Sequence, residues 1–372
     1  MTMFWFAQYV YVPYQTPYLL MNQVAFSATG IIMGAYGFSQ LVLRMPIGVM
    51  ADKNGNHKLF IIIGVAASAL ASVFRLTMPP ETGFFWGNIL SGLASAMWLS
   101  FMLLYSEFFR KEHMQKAMGL MMTANSIGIF MGFMLSTILY GAYGMNLLCY
   151  LSVIAGGTAM FLSFFLKSAD SHNKTVSVKN LLTVYWNKRL IFFGLLVFIQ
   201  QGILMSTCMS FTMQIAQQNG ASSIQIGMLS IVYILSAIFF SYFASSKLAQ
   251  KQSPMFWLLT TMLLMAVYCF SVPHLKTGLI IIFQILMGMS TGILVSFCTS
   301  EAIKEIPQGK RSTAMGYFQA IFAAGMTILP ALAGKIAENY GVQFSFYVEG
   351  IIAVAGAVLT VYYYRLPKKT IV

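Results

Sequence analysis

Twelve runs of predominantly apolar residues fill most of this 372-residue chain, at 3–20, 26–50, 59–77, 83–106, 117–140, 144–166, 190–212, 222–245, 255–273, 277–300, 313–335 and 342–364. Each is about 17–25 residues long, the length a helix needs to cross a bilayer core. In that solvent the backbone must satisfy its own hydrogen bonds, so the pattern calls for an all-α membrane protein with twelve transmembrane helices. Composition excludes the alternative. Hydrophobic residues make up 58% of the chain and charged residues 8%, against about 25% charged in soluble domains. The chain opens directly inside the first apolar run, which fits a native start upstream of Met1.

The sparse charges fix the orientation. With the N-terminus in the cytoplasm, eighteen of the 22 Lys and Arg fall in cytoplasmic loops or the tail, while Arg75, Lys276 and Lys335 fall outside and Arg44 lies within a segment. Such a bias places both termini in the cytoplasm. The net charge of +13 is therefore spread along one membrane face, which argues against a nucleic-acid surface. Cys149, Cys208, Cys269 and Cys298 lie in apolar runs without CxxC spacing, and the four histidines fall in loops. No metal site or cofactor is expected.

The chain repeats itself. Ala117-Met-Gly119, Gly128 and Gly144 recur as Ala314-Met-Gly316, Gly325 and Gly341, and Gly30 and Tyr36 recur as Gly227 and Tyr233. One register held over several helix pairs, with both halves starting on the same side, predicts a parallel repeat about an axis along the membrane normal. The longest connection sets the boundaries: a six-helix bundle over 1–166, a cytoplasmic linker over 167–189 and a second bundle over 190–372.

Between the second and third runs stands Gly48-Val-Met-Ala-Asp52-Lys53-Asn-Gly55-Asn-His-Lys58. Its glycines allow a tight turn and close helix approach. Its carboxylate can accept from a facing helix N-terminus or pair with a cation. Together with the repeat and the topology, these residues make the chain resemble the major facilitator superfamily over essentially its whole length. The resemblance implies two pseudo-twofold-related six-helix bundles, alternating access, and a cytoplasmic gating role for Gly48, Asp52, Lys53, Gly55 and Lys58. Asn56 departs from the cation the family prefers. Asn88 stands where many proton-coupled exporters of the family carry an arginine, and Phe133 and Ser136-Thr137 stand where its exporter motif has proline and glycines.

Polar residues recur at helical spacing in the apolar runs and so share faces. Gln8, Tyr11 and Gln15 form one set, Tyr36, Gln40 and Arg44 another, and Gln284, Thr291 and Cys298 a third, with Gln200 and Gln201 in the seventh run. Two readings stand: a substrate cavity that also takes in Trp98, Asn125, Tyr233 and Gln319, or amides that bridge neighbouring helices at about 0.6 kcal/mol each. A cavity of aromatic rings and amides with little charge suits a neutral or amphipathic solute. Arg44 is read as the one cation well inside a segment, open to substrate contact, gating or snorkelling. Glu349 is the clearly intramembrane acid, able to carry a coupling proton or to make a structural hydrogen bond. Pro13 and Pro17 predict a kinked first helix.

The expected function is secondary transport of a small organic solute, with proton-coupled efflux from the bacterial inner membrane as the leading reading. Uptake by symport or facilitation is the alternative, and a non-transporting sensor on the same scaffold ranks below both. No enzyme chemistry is expected, because no interior acid–base pair can be assembled. The expected partners are the solute, protons and lipid, with the chain as a monomer.

Overall fold

The computed structural model describes residues 1–54, 57–109, 113–167, 187–307 and 311–365. Helices dominate, and no strand occurs among the described residues. In the first half they are α1 (Thr2–Tyr9), α2 (Val12–Met21), α3 (Phe26–Asn54), α4 (His57–Thr77), α5 (Pro80–Ala96), α6 (Trp98–Glu107) and α7 (Met114–Phe164). The second half holds α8 (Lys188–Ile203), a π-helical segment (Leu204–Phe211), α9 (Thr212–Gln218), α10 (Ser223–Ala244), α11 (Pro254–Ser271), α12 (Thr277–Ile303), α13 (Arg311–Tyr340) and α14 (Val342–Arg365).

By length and apolar composition, nine helices among the described residues are fit to cross a membrane, against the twelve crossings expected. The difference has three local causes. The first run is broken into α1 and α2, because Pro13 has no N–H for the Tyr9 carbonyl. The fourth is broken at Met97, between α5 and α6. Finally α7, 51 residues long, takes in two expected runs and turns at Gly144, where φ is +69°. Gly341, its counterpart in the repeat, takes φ +92° between α13 and α14. No atom would meet a Cβ at either position, so backbone conformation, not crowding, calls for glycine there.

Large apolar side chains such as Ile138, Ile154, Phe161, Phe239, Ile351 and Val358 are exposed. Soluble monomers rarely show patches of that extent, whereas a lipid-facing surface requires them. Inside, one apolar core runs through both halves, from Val10 and Phe133 to Leu294 and Phe346.

Two seams join the halves. α3 packs along α13: a methyl on Gly30 would strike the Pro330 carbonyl and lie 2.9 Å from the Gly334 Cα, and one on Gly34 would lie 2.6 Å from the Thr327 carbonyl. α10 packs against α7, with Gly227 facing the Thr137 side chain. Three hydrogen bonds at the same end reinforce the closure: Tyr14 Oη to the Ser223 carbonyl (2.7 Å), Thr16 to Ser210 (2.8 Å), and the Ser27 N–H to Glu338 (2.8 Å). The halves are thus pressed together at the end where α3 begins and α13 finishes.

Candidate functional site

Beneath that closure a cavity of about 40 Å³ lies between the halves, lined by Gln8, Tyr11, Gln15, Tyr36 and Asn88 from the first half and by Met205 and Met209 from the second. The break between α1 and α2 keeps Gln8, Tyr11 and Gln15 on one wall despite the interrupted helix. Met205 and Met209 lie four residues apart on the π-helical segment. Such bulges re-aim side chains and recur at functional sites.

Four of the residues expected from helical spacing therefore share this cavity. Two of its amides have open valences: Gln8 Oε1 and Gln15 Nε2 are buried without a hydrogen-bond partner among the described residues. Gln8 Nε2 donates to the Ser91 carbonyl (3.3 Å), and the Tyr11 hydroxyl meets Ser91 Oγ (3.3 Å). Tyr36 Oη meets Ser95 Oγ at 2.8 Å. Gln40, fully buried, accepts from Arg44, whose guanidinium also stands 5.8 Å from the Phe322 ring across the α3–α13 seam.

Arg75 corrects the sequence reading most sharply. Counted as an external charge, it is only 5% exposed. Its guanidinium lies 3.9 Å from the Tyr11 ring centroid and donates to Ser72 Oγ (3.1 Å), Asn88 Oδ1 (3.0 Å) and Ser91 Oγ (2.8 Å). Arg44 is therefore not the only interior cation: a second stands directly behind the Tyr11 and Asn88 side chains that line the cavity. The absence of a loop polar enough to hold Arg75 outside, with Thr77 the last residue of α4 and Pro80 opening α5, is the signal that could have found it.

In the second half the expected residues join one another. Gln200 donates to Thr291 (2.8 Å), Gln201 donates to Gln200 (2.7 Å), and the Tyr233 hydroxyl reaches Thr291 at 3.5 Å. Gln284 belongs to a separate buried chain, accepting from Cys208 and donating to the Tyr268 hydroxyl (3.1 Å), which meets Thr212 (2.8 Å). Trp98 is not at the cavity: it packs edge-on to Trp5 at 5.5 Å, in a cluster with Phe4 and Phe101. Asn125 and Gln319 are half-buried and outside it.

Glu349 is 2% exposed, and neither carboxyl oxygen has a hydrogen-bond partner among the described residues. Ser206 of the π-helical segment approaches it but donates to the Gly202 carbonyl (2.7 Å). Of the expected gating residues, Gly48, Asp52 and Lys53 fall on the last turns of α3; their side chains, and the whole of Gly55, lie outside the described residues. Lys58 Nζ donates to the Phe164 carbonyl at 2.8 Å, tying α4 to the end of α7.

The comparisons with known proteins decide the family. The model of the Major Facilitator Superfamily matches residues 1–215 and again 193–372, one match per half. The chain belongs to this superfamily. Among curated members it is 24% identical to the inner membrane transport protein YajR of Escherichia coli, over 93% of this chain and 77% of that one. It is 21% identical to the staphylopine export protein of Staphylococcus aureus, over 87% and 84% respectively. Solved structures share the superfamily fold at low identity. The nucleoside transporter NupG, as its D323A mutant, superposes with a TM-score of 0.80 at 14% identity over 98% of both chains. A POT family transporter bound to 5-aminolevulinic acid gives 0.77 at 12%, covering 97% of this chain and 94% of that one. This protein is accordingly an integral membrane transporter of the superfamily.

Proposed function

We propose that this superfamily member exports a small organic solute across the bacterial inner membrane in exchange for protons, by alternating access between two six-helix bundles, 1–166 and 190–372. The observation that carries the reading is the cavity between the halves, closed at one end by two repeat-related seams. Dividing α7 at Gly144 and joining α1 to α2 and α5 to α6 gives twelve crossings. With both termini cytoplasmic, as the charge distribution favours, the sealed end faces outward and the cavity belongs to an inward-facing state. Asp52 is then placed to lock the cytoplasmic ends in the opposite state.

Export is favoured by similarity to a protein named for export and by a cavity walled by methionine and aromatic rings. Glu349 is the coupling group in this reading: a carboxyl buried without a partner is stable only as the neutral acid or beside a compensating charge. Its approach to Ser206 sets it against the helix that carries Met205 and Met209 into the cavity.

The test uses proteoliposomes with an imposed pH gradient and both vesicle orientations. The parent protein should move solute against its gradient, toward the more acidic side. Glu349→Gln should lose at least tenfold of this driven rate while keeping solute–solute exchange. Driven transport at the parent rate in Glu349→Gln excludes the acid from coupling. Solute movement only toward the alkaline side reverses the direction.

A further inference from the structure

Among the described residues the Arg75 charge has no acid to answer it. Five acids have described side chains. Glu301 and Glu305 pair with Arg189, Glu338 caps the start of α3, Glu81 is exposed, and Glu349 lies against Ser206. Among the described residues Arg75 meets only neutral acceptors and the rings of Tyr11 and Phe84. An isolated buried cation is costly in a membrane interior, and here the neutral partners relay its polarity toward the cavity. Arg75 donates to Ser91 Oγ, and the Tyr11–Ser91 contact can run in either direction, so with Ser91 as its donor the Tyr11 proton is left to the cavity. Asn88 accepts from Arg75 and donates to the Ile32 carbonyl at 2.7 Å, so its amide is held in place. Beside these groups, Gln15 Nε2 is a buried donor without an acceptor. From the other side, Arg44 adds positive potential at Tyr36 and Tyr9.

We propose that the solute is an organic acid whose carboxylate accepts from Tyr11 Oη and Gln15 Nε2 in the field of Arg75, with a hydroxyl or amino group on the neighbouring carbon donating to Gln8 Oε1. The free Gln8 acceptor beside the free Gln15 donor sets that pattern, with the Tyr11 hydroxyl as the second donor when Ser91 donates to it. Met33, Met205 and Met209 give the rest of the solute an apolar, polarisable wall. This refines the sequence-based expectation of a neutral solute, which rested on counting Arg75 as external. It builds on the transporter reading above, but its test reads binding, so the two can fail separately.

The probes are 3-phenyllactate, its primary amide 3-phenyllactamide, and 3-phenylpropionate, each at millimolar concentration with the intact protein in lipid nanodiscs. The readout is the shift in thermal unfolding midpoint. The order expected is phenyllactate above phenylpropionate above phenyllactamide, with at least a tenfold preference in apparent affinity for the acid over its amide. Arg75→Gln should abolish that preference. Because loss of Arg75 can impair folding, Asn88→Asp serves as the second variant: its carboxylate would neutralise Arg75 in place, keep the protein folded, and lower phenyllactate affinity at least tenfold. An amide that binds as tightly as the acid overturns the anion site, as does an Asn88→Asp protein that still prefers the acid. Chloride or sulfate giving the same shift as phenyllactate overturns the organic-acid assignment. Equal binding of phenylpropionate and phenyllactate removes the role of Gln8. Acid-selective binding without transport would leave the site standing and count against alternating access.

Discussion

The two seams between the halves are related by the repeat, yet they are built differently. Gly30 on α3 corresponds to Gly227 on α10, and the position of Gly334 on α13 corresponds to Thr137 on α7. At the first seam glycine faces glycine and a proline carbonyl, so backbone lies on backbone. At the second, glycine faces a threonine side chain whose hydroxyl is turned back to the Phe133 carbonyl at 2.6 Å. Small residues let membrane helices approach closely and gain packing energy. One seam has carried that to its limit, and the other has kept a side chain as a spacer. The difference teaches that pseudo-symmetry fixes where the halves touch, while local substitutions set how much each contact can give. A contact between backbones has no rotamer to change, so α3–α13 is the stiffer pivot.

The sharpest way to break this comparison is Gly30→Ala. The added methyl meets the Pro330 carbonyl and the Gly334 backbone, neither of which can move aside without shifting a helix. Overpacking of this kind costs about 1–3 kcal/mol, all of it in the state sealed at this end. Transport should fall more than tenfold. A cysteine introduced at Thr29, which is fully buried in the seam region, should become open to a membrane-impermeant maleimide. Unchanged labelling in Gly30→Ala would mean that the seam is looser than its geometry implies.

The second seam offers a milder and reversible perturbation. Gly227→Ala crowds Thr137: the added methyl strikes its hydroxyl oxygen and lies 2.6 Å from its Cβ. Transport should drop about threefold, the smaller loss of a contact that can adjust. Adding Thr137→Gly recreates the glycine pair of the first seam and should restore the rate to within a factor of two, even though glycine inside a helix costs about 1 kcal/mol. No trimming can rescue Gly30→Ala in this way, because position 334 is already glycine. Rescue at one seam and none at the other is the result the comparison requires.

The sequence made the seams legible in part. Gly30, Gly227 and the 197-residue offset stand in the text of the chain, and so do the turn glycines at 144 and 341, because glycine is the residue such places demand. Helical spacing also brought Gln8, Tyr11, Gln15 and Tyr36 to one cavity. Spacing within one helix says nothing of which helix lies opposite, so it could not separate them from Gln284, whose amide is taken up by Cys208 and Tyr268. Nor could it tell that Trp98 packs on Trp5. Arg75 was misread because a cation near the end of an apolar run ordinarily snorkels to the interface. Here Asn88 and Ser91 on the next helix and the Tyr11 ring from the first run draw it inward, and only the packing of those helices brings them around it. The π-helical segment Leu204–Phe211 contains neither glycine nor proline, so nothing in its composition marks it.

The smallest effect is expected where the first seam reaches solvent. Glu338 on the last turn of α13 accepts from the Ser27 N–H in the first turn of α3, where a helix leaves its N–H groups unpaired and carries partial positive charge. Glu338 is exposed, so water can replace it and salt screens its charge. Glu338→Gln keeps an acceptor oxygen and should change transport less than twofold, with Thr29→Cys labelling unaltered. Glu338→Lys sets a cation against that positive helix end and should raise the labelling measurably, though well below the level of Gly30→Ala. If Glu338→Gln opened the seam as far as Gly30→Ala does, the closure would rest on this rim contact and not on the packed glycines, and the stiffness assigned to backbone-on-backbone packing would be wrong.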